Sequence, residues 1–321
     1  MKKTRTERRA ALEALRAGRA GRAREAKIRL VPYETSLDGL IRTVSEDDLA
    51  EIRGNGDVYP ETVLLALCQE RPAGVGYLSR GTVNDGILTV YCVFDVISSA
   101  PGAIAAGKAL LRALKGRFAS LKPKLPFPDA RLTVFSREES ETAAFLQENG
   151  FLAGRKMSVF RNGLNLIGDV PETRTVRFPD GSEKEAHIGF LDVTVPENME
   201  RYIRANGRGF GHPDSEKGLL FRVGHWQARV FAWLCGDEVL AAVTVWPQRG
   251  IAFATEDVFC VPEVRRQGLT EQLLKYLLRQ GKEEGYACAD LNAFSHNMTA
   301  VRLYEKCGYV KEYELTEFYV D

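Results

Sequence analysis

The residues of this chain best suited to chemistry lie between positions 257 and 270. There Asp257-Val258-Phe259-Cys260-Val261 reads as a strand, Pro262 ends it, and Arg265-Arg266-Gln267-Gly268 leads into a helical run that opens Leu269-Thr270. A helix entered this way presents the unpaired N–H groups of its first turn together, and its dipole adds partial positive charge. Gly268 would let a phosphate approach the backbone, and Arg265 and Arg266 would add charge that a diphosphate can use. The turn is therefore expected to bind an anion. It is no nucleotide P-loop, since GxxxxGK[ST] is absent, and it lacks GxGxxG. A second polar stretch, residues 206–213, reads either as a substrate loop, with Arg208, Phe210 and His212 meeting an acceptor, or as an ordinary turn between two helices. His187, His225 and His296 lack partners at ligand spacing, so no metal is expected. The six cysteines stand singly, without CxxC pairs, and read as buried thiols of a reducing cytoplasm.

These residues must be positioned by elements, and the 321-residue chain has room for two ordinary domains. Its formal net charge of +1 gives no global electrostatic case for nucleic acid or membrane partners. No apolar run reaches the roughly 18 residues of a membrane span. Residues 1–26 form a basic arm rich in arginine and alanine; it reads as a solvated helical arm, with an RNA- or membrane-touching tail or a targeting sequence as alternatives. The chain also repeats itself. Phe145-Leu146-Gln147-Glu148-Asn149-Gly150-Phe151 matches Leu303-Tyr304-Glu305-Lys306-Cys307-Gly308-Tyr309, and the offset that pairs Gly150 with Gly308 also pairs Phe160 with Phe318. Leu110, Leu111 and Leu114 likewise match Leu273, Leu274 and Leu277. The expected layout is one domain at 27–162, a linker at 163–185 marked by Pro171 and Pro179, and a second domain at 186–321. In the second, apolar runs at 229–234, 239–245 and 251–260, separated by Gly-Asp and Gln-Arg-Gly turns, predict an antiparallel meander. Leucines at 269, 273, 274, 277 and 278 predict a helix, followed by a strand at 287–294, a helix at 297–306 and a strand at 309–320. The fold class is α/β.

The second helix and the turn after it carry Asn297, Ala300, Tyr304, Gly308 and Tyr309. Together with Arg265 and Gly268 these residues resemble the paired motifs of the GNAT superfamily of acyl-CoA-dependent N-acyltransferases, [Q/R]-x-x-G-x-[G/A] and N-x-x-A-x-x-x-Y-x-x-x-G-[F/Y]. The match spans roughly residues 186–321, with Thr270 where glycine or alanine is usual. The resemblance implies two tandem GNAT-like domains, each a mixed, mostly antiparallel twisted sheet flanked by helices. It implies acetyl-CoA as co-substrate, held by Val258, Phe259, Cys260, Arg265, Arg266, Gln267, Gly268, Leu269, Thr270 and Asn297. Tyr304 is the implied general acid: a free phenol titrates near ~10, so it is protonated at neutral pH and can donate to the leaving thiolate. Glu256 takes the position of an acidic residue in many relatives, as base or amine anchor, and strand alternation would put Glu256, Val258 and Cys260 on one face. Cys260 as an acyl-enzyme nucleophile is disfavoured, because no adjacent histidine follows it.

The first repeat departs where chemistry would occur. Aligned through its leucines it has Gly102, Ala103, Ile104 and Ala105 in place of Arg265 to Gly268, with a helix start near residues 105–108. Leu146 replaces Tyr304, Glu139 replaces Asn297, and a position near Val93 replaces Glu256. It reads as a degenerate domain supporting a catalytic second one, a layout similar to that of mycothiol synthase. The expected activity is acetyl transfer to a primary amine on a small molecule. A protein or peptide amine, or a CoA-binding module without turnover, are the alternatives.

Overall fold

The computed structural model describes residues 27–164, 170–248 and 251–321. The basic arm at 1–26, residues 165–169 of the expected linker, and Arg249 and Gly250 of the expected turn lie outside the described residues. The chain divides into two compact units. One takes in the described residues up to Arg155 together with Leu315–Asp321; the other is Lys156–Glu314.

The first unit contains β1 (Ile28–Pro32), α1 (Asp38–Val44), α2 (Glu46–Gly54), β2 (Leu64–Cys68), β3 (Arg71–Asn84), β4 (Ile87–Val96), α3 (Ala103–Leu121), β5 (Ala130–Ser136) and α4 (Glu141–Glu148). Its strands run in the order β1-β2-β3-β4-β5, antiparallel except for the parallel pair β4·β5. The residues beyond Leu315 complete the sheet, with Phe318 opposite Val134 on β5 and fully buried. Leu110, Leu111, Leu114 and Phe118 of α3 pack with Phe318 in one core; Ile41, Leu49 and Ile52 from the first two helices form another with Val75 and Tyr77.

The second unit uses β6 (Leu152–Asn162) from Lys156 onward, then β7 (Thr173–Arg177), β8 (Glu183–Leu191), α5 (Pro196–Phe210), α6 (Glu216–Trp226), β9 (Arg229–Cys235), β10 (Glu238–Pro247), β11 (Ala252–Cys260), α7 (Leu269–Glu283), β12 (Cys288–Phe294), α8 (Met298–Lys306) and β13 (Val310–Val320) as far as Glu314. Its sheet order is β6-β12-β11-β10-β9-β8-β7. The compact units thus divide at other places than the repeat alignment gives. Phe160 and Phe318, equivalent by sequence offset, each lie in the core of the opposite repeat's unit. Residues 163–185 also hold more than a linker. Thr173–Arg177 pairs with Glu183–His187, and Pro179, Asp180 and Gly181 (φ +83°), whose types suggest a linker, form the turn between them.

Helix sequence accounts for the packing. Leu269, Leu273, Leu274, Leu277 and Leu278 form one buried stripe on α7, each such burial stabilising by roughly 1.5–3 kcal/mol. Pro196 opens α5 and Gly211 (φ +82°) closes it, as the N-terminal proline and C-terminal glycine preference requires. Cross-strand register assigns the faces of β11. Thr244, Glu256, Ala242 and Phe259 share the face covered by α5, since Phe259 meets Tyr202 and Phe210 there. Phe253, Thr255 and Cys260 share the other face, where Phe253 approaches Gly281 of α7.

Candidate functional site

The site begins with a gap between two strands. β11 and β12 pair in parallel only at Ala252↔Cys288, Phe253↔Ala289 and Ala254↔Asp290. Beyond Ala254 they part, so among the described residues the β12-side edge of residues 256–260 has no ladder partner. Those backbone groups can accept an extended ligand as an added strand. The same stretch carries a β-bulge: the register with β10 shifts between Ala242↔Phe259 and Thr244↔Glu256, and Asp257 has φ +50°. The extra residue overturns the expected alternation. Glu256 lies on the α5 face and Cys260 on the opposite one.

At the end of this gap stands the N-terminus of α7. Gly268 (φ +80°) is its N-cap, and the first helical bond runs from Gln272 N–H to the Gly268 carbonyl, leaving the N–H groups of Leu269, Thr270 and Glu271 without helical acceptors. Trp233 Nε1 donates to the Leu269 carbonyl at 2.9 Å and anchors this end. Arg265, expected to face a diphosphate, donates instead to the carbonyls of Cys260 (3.1 Å) and Gly209 (2.8 Å), holding the turn's shape. Arg266 (φ +64°) is exposed. Gln267 exchanges two hydrogen bonds with the backbone of Arg177 on β7. Sequence reasoning missed Arg174, also on β7, whose guanidinium reaches Gln272 at 3.2 Å and lies 3.7 Å from where a Cβ on Gly268 would be. Once residues 173–177 are read as linker, no signal points to that arginine.

Helix α8 brings Tyr304 to the same region. Its ring is 7 % exposed and lies edge-on to Phe160 (6.0 Å) and Tyr309 (6.1 Å), and Tyr309 Oη is 3.1 Å from Thr255 on β11. Burial raises the Tyr304 pKa above that of a free phenol, so the group is a proton donor at neutral pH. Among the described residues its hydroxyl has no hydrogen-bond partner. Asn297 is exposed and caps α8, its carboxamide oxygen accepting from Ala300 N–H at 3.2 Å; the amide N–H groups remain for a ligand. Burial pushes the Cys260 thiol up to about 11, which makes it a poor nucleophile at neutral pH.

Glu256 is exposed, whereas the bulge turns Asp257 inward. Arg222 on α6 bonds Asp214 and lies 3.5 Å from Asp257, with Thr244 and Tyr202 close by. Burial raises the Asp257 pKa, Arg222 opposes that shift, and the charges of Asp214 and Glu256 add to it. This group was not legible in the sequence, because the bulge that assembles it has no compositional mark.

The acceptor candidates sit elsewhere. Residues 206–210 are helical rather than a loop, and only the stretch beyond Gly211 turns toward α6. Arg208 bridges Glu238 (3.0 Å) and Glu263 (2.9 Å), and Phe210 packs on Phe259 and His212. Arg208 and His212 line a 420 Å³ cleft whose wall includes no β11 residue.

The first repeat keeps the frame without the site. Its β4 and β5 pair from Leu88↔Ala130 to Tyr91↔Thr133, but β3 and β4 stay in register from Gly74↔Val96 to Arg80↔Val90, with no counterpart of the Asp257 bulge. Helix α3 starts at Ala103 after a left-handed Gly102 (φ +79°), not near residue 105, and so begins nearly a turn earlier relative to Leu110 than α7 does relative to Leu273. Ser140, not Glu139, holds the cap position of Asn297.

Comparison with known proteins matches residues 196–309 to the model of the acetyltransferase (GNAT) family. No curated protein matches the sequence. Among solved structures, the chain is similar to a tandem GNAT protein from the clavulanic acid biosynthesis pathway, at 13 % identity over 91 % of this chain and 98 % of that one, TM-score 0.58. It is also similar to a GCN5-related N-acetyltransferase from Sphaerobacter thermophilus, at 16 % identity over 91 % and 95 %, TM-score 0.53. A third similar fold is that of a Pyrococcus horikoshii protein described as an acetyltransferase, at 11 % identity over 94 % and 92 %, TM-score 0.54.

Proposed function

We propose that this chain, whose residues 196–309 match the acetyltransferase (GNAT) family model, is an acyl-CoA-dependent acetyltransferase that moves an acetyl group from acetyl-CoA to a primary amine on a small molecule. The observation that carries this reading is the gap between β11 and β12, which opens beside the α7 N-terminus, with the protonated Tyr304 joined to its β11 side through Tyr309 and Thr255. The open edge of residues 256–260 fits an amide-rich pantetheine arm, and the first-turn N–H groups of α7 fit a diphosphate, with Arg266 and Arg174 as nearby cations. Acetyl-CoA supplies the acyl group as a thioester.

The residues divide the chemistry as follows. An amine attacks only when neutral, and Glu256, exposed beside the gap, takes its proton directly or through water. A backbone N–H of residues 258–260 steadies the oxyanion. The new C–N bond forms, the C–S bond breaks, and Tyr304 protonates the departing thiolate. The working site is in the second repeat, since the first lacks both the tyrosine and a counterpart of the Asp257 bulge. Replacing Tyr304 with Phe keeps the ring against Phe160 and Tyr309 but removes the donor. Turnover, followed as free thiol released with an amine panel, is expected to fall about 100-fold, with the calorimetric affinity for acetyl-CoA retained. Unchanged turnover at saturating substrates would remove Tyr304 from the mechanism.

A further inference from the structure

Acetyl transfer as described leaves unused an aromatic group on the α5 face of the second unit. On α6, Arg222 and Trp226 stand one helical turn apart and share a face. Arg222 reaches Asp257, while Trp226 meets Trp246 of β10 with ring centroids 5.4 Å apart and planes inclined by 39°. Phe221 lies edge-on to Trp226 at 6.0 Å and stacks on His225 at 4.9 Å. The helix therefore lies along the sheet with charge over the bulge and aromatic surface one turn further on. Register fixes the position of that surface. Thr244 is opposite Glu256 and Trp246 is opposite Ala254, so Trp246 and Glu256 are diagonal neighbours on one face, about 7–8 Å apart at the backbone.

Order along β11 assigns this surface to one substrate. The anion-binding turn follows Cys260. Moving away from it along the strand come Glu256 and then Ala254, so the aromatic group lies beyond the carboxylate, on the side away from the acyl donor's phosphates. Trp226 and Trp246 are both only half-buried, whereas Trp233, the third tryptophan, is fully buried in the core. Their half-burial leaves aromatic surface of both rings open to a ligand. Tryptophan faces attract flat rings by offset stacking and cations by their quadrupole, and an exposed carboxylate next to them selects a positively charged end.

We propose that the acceptor is a primary amine borne on a flat aromatic body, which seats on Trp226 and Trp246 with its ammonium group held at Glu256. The assignment rests on the acetyl-transfer reading and names the substrate class of that site. Two measurements on the full chain separate its fate from that of the parent reading. In the first, free-thiol release with acetyl-CoA is compared for 2-phenylethylamine, 2-cyclohexylethylamine and butylamine. The aromatic amine is expected to exceed butylamine in kcat/KM by about tenfold or more and to exceed the cyclohexyl amine as well, and Trp226→Leu and Trp246→Leu are expected to bring the three together. Equal kcat/KM for all three amines in the native chain, or a preference that survives both substitutions, overturns the proposal. Trp226→Phe and Trp246→Phe, which preserve packing and an aromatic face, are expected to keep most of the preference and guard against loss of folding. In the second measurement, 4-nitrophenethylamine is titrated while tryptophan emission is followed, a readout that needs no turnover. If no amine releases thiol, the acetyl-transfer reading fails and this titration still decides the site. Saturable quenching that both leucine substitutions remove supports it, and the absence of saturable quenching overturns it.

Discussion

Asp257 shows how one inserted residue changes what a strand can do. Alternation continued from Thr255 would leave its side chain on the face away from α5, but the bulge, with φ +50°, directs it toward Arg222, Asp214, Thr244 and Tyr202. Burial raises its pKa, so its neutral form is favoured in the fold relative to the unfolded chain. The sign of the linkage follows. The stability contributed is fully present below the ordinary carboxylate range and is lost as pH rises through the raised value. Asp257→Asn removes this dependence, so the Tm of the variant minus that of the native chain is expected to grow more positive between pH 4 and pH 8. A difference that stayed flat, or fell, would mean that Arg222 outweighs burial. The neighbouring thiol behaves in parallel. With Cys260 pushed up to about 11, Cys260→Ser is expected to retain acetyl transfer and the native thiol to resist iodoacetamide at neutral pH. Residue types told much of this stretch, including the proline stop and the glycine entry, but not the bulge. Whether a strand carries an extra residue depends on its partner's register and on what helix covers it, and neither is written in local composition.

At the scale of elements, close approach of α5 to β11 depends on Gly209. A Cβ there would lie 2.7 Å from Phe259 Cδ2, whereas one on Gly207 would first meet Pro213 at 3.4 Å. Both glycines are inside the helix, where alanine is favoured by roughly 0.5–1 kcal/mol. Gly207→Ala is therefore expected to be neutral or mildly stabilising in urea unfolding. Gly209→Ala is expected to destabilise by about 1–3 kcal/mol, because the helix must lift or Phe259 must leave its rotamer. Equal midpoints for the two variants would show that α5 has room to shift. The sequence made the leucine stripe of α7 and the strands of the meander plain, since period and turn residues agreed there. It misread residues 206–210 as loop-like because three glycines in six residues signal a turn, although here one of them serves contact rather than bending. It missed β7 for the converse reason, since Pro179, Asp180 and Gly181 mark a hairpin turn as readily as a linker.

The whole molecule is built from a repeat whose halves were recognisable in sequence but whose closing strands were not assignable. Sequence offset shows that Phe160 and Phe318 are equivalent; it cannot say which core each one fills. Phe160 packs against Tyr304, and residues 157–162 pair with β12 throughout, so the second unit is closed by residues that precede its own repeat. The first unit is closed by the chain's end. There Glu317, fully buried, accepts from Arg155 at 2.6 and 2.8 Å, lies 3.8 Å from Arg131, and has Phe318 beside it in the core. A buried carboxylate with these partners is strongly destabilising to lose, by about 3–5 kcal/mol, because the guanidinium left behind is uncompensated. Two fragments test the consequence for the second unit. Residues 186–321, the span that sequence alone marks as a domain, lack both the strand that covers Tyr304 and the hairpin partner of β8. Residues 156–321 retain them. The shorter fragment is expected to show no cooperative thermal transition and no calorimetric binding of acetyl-CoA, and the longer one to show both, since removing a buried phenylalanine alone costs about 3–5 kcal/mol and here a whole paired strand goes with it. Equally tight acetyl-CoA binding by the two fragments would show that the second repeat closes on its own residues, and the exchange of closing strands would then have no bearing on the site.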